Sequence, residues 1–192
     1  MKTTKKLMTL TLGTLLMAST FMYANINDPV HKKNQKESIE KDSREEATIV
    51  GVAAANQNFT TLVTAIKAAD LVETLNSVGP FTVFAPTNEA FAKLPEGTVE
   101  SLLETENKGT LTAVLTYHVV KGKFLASDVL KAIEDNGGKF VIETVNGQKL
   151  KAWVKDGNVM LKDAQGNSSK IILTDVAASN GVIHAIDSVV MP

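Results

Sequence analysis

At Gly137 the spacing of the large apolar residues changes period, and that change sets the fold class. Before it, Phe59, Leu62, Val63 and Ile66 fall at i, i+3, i+4 and i+7, one stripe of a helix with Asn58 placed as its N-cap. Asp70 is placed to cap a short turn carrying Leu71, Val72 and Leu75, and Gly79-Pro80 ends that turn. Residues 81–84 read as a short strand, after which Thr87 or Asn88 caps a helix over 89–94. Val99, Leu102 and Leu103 mark another helix; Leu111, Val114 and Leu115 mark a longer one. Ser127 is the expected cap of a segment running from Asp128 to about Glu134. After Gly137 the period is two. Asn146-Gly147 and Asp156-Gly157 are two-residue hairpin signals between strand-like runs. Further strands are predicted over 171–176 and 182–190, with Ala178-Ser179-Asn180-Gly181 as the turn between them. Helices followed by hairpin-connected strands predict an α+β domain and not a parallel α/β sheet.

The 192 residues divide into three segments of different character. Met1-Lys2-Thr3-Thr4-Lys5-Lys6 precedes an uncharged run over 7–22, the pattern of a signal peptide and short of a membrane-spanning helix. Cleavage is expected after Ala24 or Ala18, and retention as an uncleaved anchor is the alternative. Residues 25–46 hold eleven charges and only Ile26, Val30 and Ile39 as large apolar groups. Too little surface is buried there to repay ordering, so this stretch is expected to be a disordered charged spacer, with a solvated helix as the other reading. The domain therefore spans 47–192.

Charge excludes several functions. Twenty Lys+Arg against twenty-one Asp+Glu give −1, and loss of the leader removes Lys2, Lys5 and Lys6, leaving −4. Neither a nucleic-acid partner nor a membrane span in the mature chain is expected. With no cysteine there is no disulfide, thiol nucleophile, Cys-bound metal or lipid anchor. The expected location is extracellular or periplasmic.

No nucleophile elbow, zinc-protease helix, phosphate loop or dinucleotide fingerprint occurs, so no enzyme, cofactor or metal site is expected. His31 lies in the spacer. His118 falls on apolar surface whether its segment is helix or strand, which favours a hydrogen-bonded core histidine over a ligand. His184 alternates with Val182, Ile186 and Val190; Asp187, three positions on, points to the opposite face and is no catalytic partner for it.

Lys149, Lys151, Trp153 and Lys155 alternate along one strand face, an arrangement that suits a polyanion. A two-residue Asn146-Gly147 turn sets Phe140 opposite Trp153 and Ile142 opposite Lys151, while Asp156-Gly157 sets Met160 opposite Trp153. On that register Trp153 belongs to a small apolar cluster and the lysines guard a sheet edge. Polyanion binding is then the secondary reading.

Three motifs carry a resemblance. Gly79-Pro80-Phe81-Thr82-Val83-Phe84-Ala85-Pro86-Thr87-Asn88-Glu89-Ala90-Phe91 and Asn180-Gly181-Val182-Ile183-His184-Ala185-Ile186-Asp187 resemble the two signatures of the fasciclin domain. Between them, Leu115-Thr116-Tyr117-His118-Val119-Val120 resembles its Tyr-His element. The resemblance implies an N-terminal helical layer packed on a small β-wedge or sandwich, and an exported adhesion module whose partner is a surface or matrix protein or glycan. The Tyr-His element, implicated in integrin binding in animal relatives, maps onto Tyr117 and His118. A second adhesion motif there, Glu-Pro-Asp-Ile-Met, falls on Leu173-Thr174-Asp175-Val176-Ala177, where Asp175 is kept and Val176 replaces Ile. Tyr117, His118 and Asp175 are thus the expected patch. Since some algal members bind carotenoids, a small-ligand carrier on the same fold is the alternative function.

Overall fold

The computed structural model describes residues 47–192. The expected leader and spacer lie outside the described residues.

The first half is a layer of short helices: α1 (Ile49–Ala54), α2 (Thr60–Ala68), α3 (Val72–Asn76), α4 (Asn88–Ala92), α5 (Thr98–Leu103), α6 (Lys108–Tyr117) and, later in the chain, α7 (Ala126–Asp135). Their caps are partly tertiary, which shifts three expected starts. Asn56, not Asn58, caps the single 3-10 turn that precedes α2, accepting the Asn58 N–H at 3.0 Å. Asn88 serves α2 from a distance: its Oδ1 accepts Thr61 N–H at 3.0 Å while its Nδ2 donates to Gln57 O. Thr87 is therefore the cap of α4, taking the Ala90 N–H at 3.2 Å. Helix α7 begins before Ser127, because the Leu125 N–H is taken by Asp128 and the Ala126 N–H by Asp175, both at 2.9 Å. Asp70 caps nothing; it adopts a left-handed φ of 55° and pairs with Lys108.

Seven strands form the second layer: β1 (Phe81–Pro86), β2 (Val119–Lys121), β3 (Lys139–Glu143), β4 (Lys149–Lys155), β5 (Asn158–Lys162), β6 (Ser168–Ala178) and β7 (Gly181–Ile186). Their spatial order is β2-β1-β7-β6-β5-β4-β3. All neighbours are antiparallel except β1 and β7, which run parallel over six pairs from Phe81↔Gly181 to Pro86↔Ile186. One strand of the helical half thus sits inside the C-terminal sheet. The α+β architecture with helices on a β-wedge stands, although its strands are not all joined by hairpins.

The sheet bends at β6. Its first residues pair with β5, its later ones with β7, and register shifts fall between Ile171, Leu173 and Val176. Such irregularities curve a strand. The two outer strands meet at one end, where Val120 bridges Thr144 and the Val145 N–H donates to Val119 O at 2.7 Å. Phe84, Ile142, Leu150, Leu161, Ile171 and Ile186 fill the inside of the wedge, and Val129 and Ile133 of α7 close it. On the other face of β1 and β7, Val83, Ala85, Ile183 and Ala185 pack against Leu62, Ile66, Leu111 and Leu115 of the helices. Period-2 alternation along a doubly covered strand gives β7 six buried residues in succession.

The two hairpins differ. Asp156 and Gly157 have φ of 51° and 74°, the left-handed pair of a two-residue turn, and β4–β5 has the expected register, with Trp153 opposite Met160. Between β3 and β4 the loop is three residues, Val145-Asn146-Gly147. The Val145 N–H is committed to Val119, so Thr144 pairs with Gln148 instead, its N–H donating to Gln148 O at 2.9 Å. Asn146 Oδ1 holds the loop by accepting from Gln148 N and Thr144 Oγ1. Every β3 residue is displaced by one: Trp153 faces Lys139, and Phe140 faces Ala152. The expected Phe140–Trp153 and Ile142–Lys151 pairs do not form.

Candidate functional site

The Tyr-His element ends α6. Because the helix must stop for the chain to enter β2, residue 117 points into the wedge and residue 118 caps the helix. Tyr117 has no exposed surface. Its hydroxyl donates to Lys149 O at 3.0 Å and accepts the Ala164 N–H at 3.1 Å, tying α6 to two strand ends. Burial raises the phenol pKa, and the nearby Asp163 carboxylate adds to this, against the lowering effect of the Ala164 N–H.

His118 is 2% exposed. Its Nδ1 lies 2.8 Å from Val114 O and its Nε2 accepts the Val190 N–H at 3.3 Å. These partners require the neutral ring with the proton on Nδ1. Burial lowers its pKa to about 4, although the Val114 carbonyl and Asp163 oppose the shift. His118 is thus the hydrogen-bonded core histidine its apolar surroundings predicted. The expectation that Tyr117 and His118 present a binding surface is corrected: both are inside, since each satisfies main-chain groups that the wedge would otherwise bury unpaired.

Asp175 lies elsewhere, exposed on the irregular stretch of β6 with a left-handed φ of 58°. Its carboxylate caps α7 through the Ala126 N–H, and its own N–H donates to Nδ1 of His184 at 3.3 Å. His184 is buried beside Phe84, the rings 5.8 Å apart, and its Nε2 lies 2.8 Å from Phe124 O. Thr82 Oγ1 completes the network by donating to Gly122 O and accepting the Phe124 N–H. The 122–126 loop is therefore fastened to β1, β7 and β6 by three polar side chains. Ile172 and Leu173, three and two positions before Asp175, are 49% and 48% exposed, and Leu125, which precedes Ala126, is 37% exposed. Of the three expected patch residues only Asp175 reaches the surface.

Lys149, Lys151, Trp153 and Lys155 do share a face of β4, with the lysines exposed and Trp153 half-buried. Strand β4 lies between β3 and β5, so these lysines guard no edge. Lys139, Lys162 and Lys170 join them through the register. Across the two-residue Asp156-Gly157 turn Lys155 pairs with Asn158, so the face passes to the even-numbered residues of β5, Met160 and Lys162; Lys139 joins it only through the three-residue loop.

Among the described residues Asp187 and His184 do not form an acid–base pair. Asp187 is held by the Lys170 N–H at 2.8 Å and by Lys93 at 3.2 Å, with Ser188 Oγ 3.1 Å away. Burial alone raises its pKa, but the Lys170 N–H, the Lys93 hydrogen bond and charge, and Ser188 together outweigh it and the pKa falls. Lys93 Nζ is 3.4 Å from Ser188 Oγ, yet an ammonium paired with Asp187 has no lone pair to activate a hydroxyl. His184 and Asp187 have separate partners. Among the described residues no three His, Asp or Glu side chains converge as a metal site, and no helix is long and apolar enough to cross a membrane.

A wedge-shaped sheet backed by helices, with paired glycines where β1 meets β7, defines a class that comparison with known proteins identifies. Residues 57–192 match the family model described as the fasciclin domain, and the chain belongs to that family. Protein sll1483 of Synechocystis sp. is 54% identical over 145 residues, covering 76% of this chain and 73% of that protein. Immunogenic protein MPB70 of Mycobacterium bovis is 38% identical over 149 residues, covering 74% and 68%. Transforming growth factor-beta-induced protein ig-h3 of Sus scrofa is 36% identical over 145 residues, of which the matched part is 19% of its length. A solved FAS1 domain pair from the insect cell adhesion molecule fasciclin I has the same fold at a TM-score of 0.68 and 17% identity, over 76% of this chain and 51% of that one.

Proposed function

We propose that the chain is an exported, non-enzymatic binding module that mediates adhesion to a cell surface, matrix or biofilm component. The observation that carries this reading is the exposure of Ile172 and Leu173, three and two positions before Asp175 in β6, together with that of Leu125, which precedes the Ala126 whose N–H the Asp175 carboxylate accepts. Large apolar side chains rimmed by polar ones mark interaction surfaces in soluble proteins. Support also comes from the fasciclin family, whose solved insect member is a cell adhesion molecule. Beads coated with the full protein should adhere to producing cells or their matrix, and Ile172→Glu/Leu173→Glu, checked for fold by circular dichroism, should lose most of that adhesion. Beads that never adhere overturn the function; a folded double variant that adheres like the parent overturns the site.

A small-ligand carrier is favoured by a different feature. Where β2 and β3 diverge, a groove of about 510 Å³ opens, lined by Phe124, Phe140, Ile142 and Val120. That volume is within the range of small-molecule sites. A visible absorption band in the protein purified from its native host would support a pigment, and a colourless preparation would remove that version.

A further inference from the structure

The outer face of β3, β4, β5 and the start of β6 collects positive charge that the fold does not use. Register places Lys139 opposite Trp153, Trp153 opposite Met160, and Met160 opposite Lys170, a row across four strands. The next row runs Val141, Lys151, Lys162 and Ser168. Glu143 opposite Lys149, and Lys155 opposite Asn158, complete the face. Six lysines stand there with a single acid, although acids outnumber lysines fifteen to twelve between residues 47 and 192. The ion pairs among the described residues are Lys93–Asp187 and Lys108–Asp70, and neither involves this face.

Three physical points separate this face from ordinary solvated surface. Lys151 and Lys162 are directly opposite each other, and like charges in that position destabilise an antiparallel pair. Edge protection explains lysines on β3 only, because β4 and β5 have neighbours on both sides. Trp153 is half-buried between its register partners Lys139 and Met160, an apolar side chain among the lysines of this face. Residues on one face repeat at about 6.7 Å along a strand and strands lie about 4.8 Å apart, so the charges cover roughly 20 by 14 Å.

We propose that this sheet face binds an acidic polysaccharide, a linear glycan bearing carboxylate or sulfate groups. Lys139, Lys151, Lys162 and Lys170 pair its anions, and Trp153 packs against the apolar face of a sugar ring. Single-stranded nucleic acid is disfavoured because Trp153 is the one aromatic on the face, leaving nothing on which a second base stacks. A membrane surface is disfavoured because Trp153 does not protrude to insert among acyl chains. This goes beyond the adhesion reading and shares no residue with the Asp175 surface, so each fails or stands independently.

The test titrates the full protein with alginate and dextran sulfate, with uncharged dextran, single-stranded DNA and anionic lipid vesicles as comparisons. The acidic glycans should bind, with affinity that falls as salt is added. Lys151→Gln/Lys162→Gln should weaken binding by roughly tenfold or more, about 1.4 kcal/mol or more. It removes a repulsion, so it should fold at least as well as the parent. Lys151→Arg/Lys162→Arg should retain binding, and so should Lys67→Gln/Lys131→Gln, which alters two exposed lysines on helices. No binding by the parent, unchanged binding by the glutamine pair, or an equal loss in the helix-lysine control would overturn the proposal. Tighter binding of DNA or vesicles than of either glycan would overturn the glycan assignment.

Discussion

The main-chain N–H of Asp175 donates to Nδ1 of His184 at 3.3 Å, while the Asp175 carboxylate accepts the N–H of Ala126 at 2.9 Å. One residue thus joins a bent strand, a buried imidazole and a helix N-terminus. His184, with Phe124 O at its Nε2, must be neutral with the proton on that nitrogen to satisfy both partners. The exposed part of the expected adhesion patch is therefore built on the buried network behind it.

Asp175→Ala should cost about 2 kcal/mol, one part from the lost cap of α7 and one from an alanine held at φ 58°. Asp175→Asn should cost much less, since asparagine keeps an acceptor and tolerates the left-handed region. Urea denaturation of the three proteins checks the order; equal stability of the alanine and asparagine variants would contradict it.

His118 makes stability depend on pH with a definite sign. Its folded pKa is lowered from 6.5 to about 4, so on acidification the unfolded chain takes up the proton first. The stability from this group is complete above pH 6.5 and is lost as pH falls towards 4, in all about 3 kcal/mol. His118→Gln should be less stable at neutral pH, and its stability should fall less steeply between pH 6.5 and 4. Parallel pH profiles for parent and variant would exclude this assignment.

Tyr117→Phe leaves Lys149 O and the Ala164 N–H without their partner inside the protein, at a cost of about 1–3 kcal/mol. Adhesion per folded molecule should not change, because the ring has no exposed surface. Thermal melts combined with the bead assay separate the two effects. A folded Phe variant that no longer adheres would restore Tyr117 to a binding role.

Local pattern carried much of this architecture. The apolar stripes of α2 and α6, the Asp156-Gly157 turn and the existence of the last strand are all legible, since each depends on residues near in sequence. What was not legible depends on distant partners. Asn58 is a plausible cap until Asn88 arrives from 27 residues away to serve Thr61. Asn146-Gly147 reads as a two-residue turn until Val119 takes the Val145 N–H. With that bond β3 is displaced by one residue, Lys139 stands opposite Trp153 in place of Phe140, and the basic face gains a lysine that a two-residue turn would not place there. The inward direction of Tyr117 and His118 is hidden for another reason: a motif gives residue types in order, and only their main-chain partners reveal that they point inward.

The glycines of the two signatures give a sharper contrast. Where β1 and β7 begin side by side, a Cβ on Gly181 would lie 2.1 Å from Phe81 O, and one on Gly79 2.0 Å from Asn180 O. Both obstacles are main chain, which no side-chain rotation relieves. Gly147 is different: its φ of 83° suits glycine, but a Cβ there meets nothing within 4 Å. Gly181→Ala should therefore cost at least about 3 kcal/mol and disturb the parallel pairing of β1 with β7. Gly147→Ala should cost only about 1 kcal/mol, the strain of a left-handed alanine. Urea midpoints measure both, and amide exchange at Val83 and Ala85, whose N–H groups face β7, reports the pairing. A Gly181→Ala protein as stable as Gly147→Ala would mean that the two strands separate more easily than their parallel register implies.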